Sequence, residues 1–160
     1  MTRVLSTTVL TLILLVGVAL PVSAGDQRPV HGQFSGSGMG VDQRCAGNLT
    51  IGFAISGVVA HMGRMTGGGS NCTTFALGTE AVAIWDGIVV LTAADGSTLT
   101  LAYEGSQGVP SDGVASYLHA DTVVSGTGRV HGASGQLTVD GTIDLTDLTV
   151  DGTVSGWIRY

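Results

Sequence analysis

Four glycines, Gly126, Gly128, Gly132 and Gly135, fall within the eleven residues Ser125–Gly135, between two valine-bearing segments. Glycine inside a strand region marks a bulge, a tight bend or a close approach of backbones. A cluster this dense implies a sharply bent sheet, as at the corner of a small barrel. It also requires a structural return, because glycine loses more conformational freedom on folding than any other residue.

The flanking pattern is that of strands. Leu49, Ile51, Phe53 and Ile55 alternate with Asn48, Thr50, Gly52 and Ala54, the period of a half-buried strand. Ser56-Gly57 reads as a turn, Val58–Thr66 as the next strand, and Thr66–Asn71 as a glycine loop. Val82 and Ile84 alternate with Ala81, Ala83 and Trp85 before Asp86-Gly87, and Ile88–Thr92 follows. Asp95-Gly96 centres a hairpin, and Thr98–Tyr103 returns with Leu99, Leu101 and Tyr103 on one face. Beyond a loop at 105–113, Val114–His119 and Thr122–Ser125 read as short strands. Gln136–Asp140, an Asp140-Gly141 turn, Thr142–Leu145 and Leu148–Ile158 complete the chain. No segment after residue 24 carries a 3.6-residue apolar repeat. The expected fold is all-β, a single antiparallel barrel of about eight strands.

Three segments resemble a known group. Ser125–Gly135 is similar to the GGTGRFxGAxG segment of the allene-oxide-cyclase-like and dirigent-like β-barrels, in particular their small secreted bacterial members. Ala60–Arg64 resembles the A-T-H-L-G-R segment early in those proteins, and Leu91–Leu101 resembles their central hairpin. Together the three cover residues 45–160. Val130 stands where the resemblance expects phenylalanine and Met62 where it expects leucine, which puts the exact pocket shape outside what the resemblance implies.

The first 24 residues are read separately. Arg3 precedes the apolar run Val9–Leu20, Pro21 breaks it, and Val22-Ser23-Ala24 supplies small residues for cleavage. This is the pattern of a secretory signal peptide cut after Ala24, giving a secreted or extracytoplasmic product. The run is short for a membrane span, so no stable membrane insertion is expected. Residues 25–44 read as a flexible leader or first strand, and 45–160 as the barrel domain.

Without Arg3 the chain holds five arginines, no lysine and twelve acids, a net charge near −7. Nucleic acid and anionic surfaces are disfavoured as partners. Cys45 and Cys72 are the only cysteines, and an even count in an exported chain reads as a disulfide. No metal site is expected, since the histidines at 31, 61, 119 and 131 share no ligand spacing. No cofactor motif occurs. Asn48 and Asn71 each begin a glycosylation sequon.

The candidate ligand-binding residues are His61, Arg64, Tyr103, Tyr117, His119 and Trp157. His61 and Arg64 stand in a segment that carries the resemblance. Arginine clamps carboxylates and histidine moves protons at neutral pH. Residues three apart on a strand face opposite ways, so both reach one cavity only if Gly63 forms a bulge. Otherwise Arg64 pairs on the outer wall and His61 bonds a loop. The aromatics, with Trp85, supply area and a polar handle, or simply core. Glu80 and Glu104 read as solvated charges, His131 as a turn residue, and Met62 and Met65 as core filler.

No nucleophile signature is present. The preferred reading is a secreted barrel that binds a small apolar molecule or serves as a stable extracellular module. The alternative is a cyclase-type enzyme, as the resemblance implies, whose cavity holds a flexible substrate in one reactive conformation. A third reading is a structural or adhesive surface protein. A hollow interior separates the first two from the third.

Overall fold

In a computed structural model the described residues are 26–42, 44–46, 48–74 and 80–160. The signal segment and its cleavage position lie outside them. Eight strands run in chain order: β1 (Arg28–Asp42), β2 (Leu49–Val59), β3 (Gly63–Thr73), β4 (Val82–Ala93), β5 (Thr98–Gln107), β6 (Val114–Gly126), β7 (Ser134–Asp144) and β8 (Thr149–Arg159). Each pairs antiparallel with its sequence neighbours, and β1 pairs with β8, which closes the barrel. Closure leaves no sheet edge unpaired. The barrel takes in residues before position 45: β1 holds ten register partners in β8.

Apolar side chains turn inward along every strand. Leu99, Leu101 and Tyr103 of β5, and Val150, Val154 and Ile158 of β8, line the interior. Serine, threonine and aspartate alternate outward, as at Ser35, Thr138, Asp140 and Thr153. No helix of the described residues is long and apolar enough to cross a membrane.

One end of the barrel is sealed. Val130, in a 3-10 turn at Gly128–Val130, is fully buried, and Met62 and Ile158 beside it are nearly so. The Arg129 guanidinium donates to the Met62 carbonyl oxygen at 2.6 Å and lies 3.2 Å from the Asp95 carboxylate. The glycine cluster is therefore a cap. Gly128 and Gly132 have φ of +60° and +73°, and a Cβ on Gly128 would lie 2.5 Å from Ser97 Oγ. At the other end the inward residues Ile51, Phe53, Gln107 and Val150 are only half-buried, so solvent reaches the interior there.

Three expected turns are continuous strand. β2 runs through Ser56-Gly57 to Val59, the turn lies at Ala60–Met62, and Gly67–Gly69 belong to β3. Gly57 sits opposite Phe34 and within 2.8 Å of it at the Cβ position, so small size is what the site requires. Asp86-Gly87 is a bulge within β4, and Asp140-Gly141 lies inside β7. The Asp95-Gly96 hairpin forms as the sequence indicates, with the Ser97 amide donating to Asp95 Oδ1 at 3.0 Å.

Cys45 and Cys72 are disulfide-bonded, with Cα atoms 5.7 Å apart. The bond ties the segment before β2 to the far end of β3 beside the open mouth. Asn71 and Thr73, on either side of Cys72, line the interior.

Candidate functional site: the barrel cavity

The barrel is hollow, with a cavity of about 130 Å³. Its wall is mostly aliphatic, and its polar groups gather in one sector of β3, β5 and β6. The sector is built by strand alternation. Tyr117, His119 and Asp121 are two apart on β6 and face inward together. Asp121 pairs with Tyr103 of β5, and His119 pairs with Gly105.

The rings form a continuous array. Phe53 meets Tyr103 edge-on at 6.3 Å between centroids, Tyr103 stacks on His119 at 4.7 Å, and His119 stacks on Tyr117 at 5.0 Å. The Tyr103 hydroxyl donates to Asn71 Oδ1 at 3.1 Å. The Tyr117 hydroxyl reaches across β7 and donates to the Asp151 carbonyl oxygen on β8, also at 3.1 Å. That reach depends on Gly141 and Gly152, which face each other beneath the ring. A Cβ on either would collide with the Tyr117 hydroxyl.

Burial dominates the electrostatics. It pushes both phenol pKa values up, so both hydroxyls stay protonated donors. It lowers His119 to about 4 and leaves the imidazole neutral. It raises Asp121 to about 7. Asp121 is 4% exposed, and its Oδ1 is buried with no hydrogen-bond partner. A buried carboxyl oxygen without a partner is costly, and native interiors seldom carry one. Asp121 is also the only carboxyl among the described residues of the cavity wall. The sector therefore offers two fixed phenols, a neutral imidazole and an acid that changes charge near neutral pH.

Tyr103, Tyr117 and His119 are thus brought together in the cavity. The other three candidates lie elsewhere. His61 occupies the exposed β2–β3 turn at φ +68°, and its Nε2 is 3.1 Å from the Pro29 carbonyl oxygen. Arg64 is exposed on the outer wall. The left-handed turn is made by His61 and Gly63 together, and it carries neither side chain inward. Trp157 faces outward between Gly156 and Ile158, with the Arg159 guanidinium 5.8 Å from its ring. Trp85 stands half-buried at the β4 bulge, and Glu80, Glu104 and His131 are exposed. Met62 and Met65 are buried in the core.

Asn71 and Asp121 join the site although neither is among the candidates above. The signal for Asp121 was present: it continues the inward series Tyr117, His119 by two. Among the described residues no group of three or more His, Cys, Asp or Glu side chains could hold a metal ion.

Known structures share this architecture. The pterocarpan synthase dirigent protein PsPTS1 matches with a TM-score of 0.56 at 12% identity, covering 86% of this chain and 97% of that one. The barrel is dirigent-like. A second pterocarpan synthase dirigent protein, GePTS1, matches with a TM-score of 0.54 at 14% identity, over 97% of this chain and 99% of that one. At such identities the likeness concerns the dirigent-like fold alone. No family model and no curated protein sequence matches the chain.

Proposed function

We propose that this dirigent-like barrel is an exported protein that takes up a small, mainly apolar molecule in its interior and acts outside the cytoplasm. The observation that carries this reading is the hollow, aliphatic cavity, sealed at the Val130 end and reached from the other. A solid module would fill that space, since interiors pack to crystal-like density. The disulfide supports export, because such bonds persist in oxidising compartments.

Apolar contact sets only part of the affinity. Burying about 200 Å² of ligand surface contributes ~5 kcal/mol. Association opposes this with a cost of similar size, so a purely apolar guest binds weakly. The polar sector supplies orientation.

A second reading is a cyclase-type enzyme using the cavity as a conformational template. Asp121 favours it, as an acid able to lend a proton near neutral pH inside an apolar enclosure. The names of the fold relatives, pterocarpan synthases, point the same way.

Titration with the neutral dye Nile red tests uptake. Saturable binding to wild type that is lost in Val139→Trp, with the fold intact by circular dichroism, supports the proposal. Equal binding to both proteins places the dye on the outer surface and overturns it.

A further inference from the structure

We propose that the cavity guest carries an ammonium group: the ligand is a lipophilic amine whose cation pairs with the Asp121 carboxylate while its apolar body lies against the aliphatic wall. This rests on the uptake proposed above and names the chemical class of guest.

Three observations carry it. Asp121 is buried in the wall with Oδ1 unpartnered, so no group of the described residues satisfies this strong acceptor. The described cavity residues include no arginine or lysine, and so no internal counter-charge. Tyr103, the register partner of Asp121 on β5, and Tyr117, on its own strand, bring two aromatic rings near it that both stack on His119. Aromatic faces attract a cation most strongly when it is desolvated. A buried carboxylate beside aromatic rings holds an ammonium more tightly than an alcohol of the same shape, because the ammonium adds a full charge to the hydrogen bond it donates. The whole-chain charge of −6 also draws cations rather than anions toward the mouth.

The groups facing Asp121 are few. On its own strand they are His119, neutral through burial, and Tyr117. Tyr103 faces it from β5, and Leu137 is its register partner on β7. Asn71, bonded to Tyr103, is uncharged. Arg44, outside the cavity, acts on Tyr103 and is bonded to Asp86. Asp121 alone therefore changes charge in the neutral range among the groups around it. Where Asp121 is protonated, binding releases that proton to water; in either case one ion pair forms, with no covalent step.

Calorimetry of the folded protein with 2-phenylethylamine and its isostere 2-phenylethanol tests this. Above neutral pH the amine is expected to bind at least about tenfold more tightly. Its affinity should weaken by up to about tenfold per pH unit as pH falls below about 7, while the alcohol's changes much less. Asp121→Asn should remove both the preference and the pH dependence. If that variant does not fold, the wild-type pH series decides. Equal affinities for the two probes, or amine binding independent of pH, overturn the ammonium assignment and leave apolar uptake standing. If neither probe binds and Nile red does not bind either, the uptake reading falls and the amine with it.

Discussion

The Tyr117 hydroxyl donates to the Asp151 carbonyl oxygen 3.1 Å away, spanning from β6 over the whole width of β7 to β8. The span is open because the two interior positions beneath the ring are Gly141 and Gly152. Gly152→Ala is expected to destabilise the domain by about 1–3 kcal/mol, since the added methyl would meet the Tyr117 hydroxyl before any backbone atom. In a Tyr117→Ala background the same change should cost much less. Denaturant unfolding of the four proteins measures the coupling. Additive losses would show that the ring and the glycine do not constrain each other.

Buried Asp121 and half-buried His119 shape stability in opposite directions. Asp121 is raised from 3.8 to about 7. As pH climbs through that interval the unfolded chain releases a proton that the fold retains, so stability falls and then levels off. His119 is lowered from 6.5 to about 4. As pH drops through that interval the unfolded chain takes up a proton that the fold refuses, so stability falls toward acid. Between about pH 4.5 and 6.5 the slopes oppose, each up to about 1.4 kcal/mol per pH unit. Wild-type stability should change little across this window. In Asp121→Asn it should rise with pH, and in His119→Gln it should fall. Urea midpoints at several pH values read this directly, and parallel profiles for all three proteins would refute it.

At the sealed end, both cap glycines have positive φ, but only Gly128 has a neighbour where a side chain would begin. Gly128→Val is expected to cost about 1–3 kcal/mol, and Gly132→Val less, since it meets backbone strain without a clash. Equal denaturation midpoints for both variants and wild type would show that the cap is not structural.

The disulfide closes a sequence separation of 27 residues. The chain-entropy model gives about 3–4 kcal/mol for such a loop, so reduction should lower the denaturation midpoint substantially. Mass spectrometry with alkylation, before and after reductant, checks the bond. Two thiols that alkylate without reductant would contradict it.

The barrel was legible because strand alternation reports which face is inward, and it does so wherever a run is apolar, as at Leu49–Ile55 and Thr98–Tyr103. It failed where glycine stands at an inward position. Ser56-Gly57, Asp140-Gly141 and the triplet 67–69 were read as turns or loop, since glycine punctuates chains locally. In the barrel, Gly57 and Gly141 are small because the backbone of the neighbouring strand, with Phe34 and Tyr117, occupies the space above them. Such a requirement arises only from residues distant in sequence. β6 also runs unbroken through Ala120 and Asp121, although a polar residue at an inward position interrupts apolar alternation there. The resemblance runs through His61 and Arg64, but His61 lies in the turn at the sealed end and Arg64 on the outer face of β3.

Methyl-resolved NMR with toluene as guest tests the central claim most directly, because it locates the guest. Uptake into the barrel predicts saturable shifts at inward methyls such as Leu101, Val139, Ile143 and Val154, with the exposed Val58, Val90, Leu118 and Val124 unmoved. Shifts confined to the exposed set, or none at saturating toluene, would contradict a binding cavity.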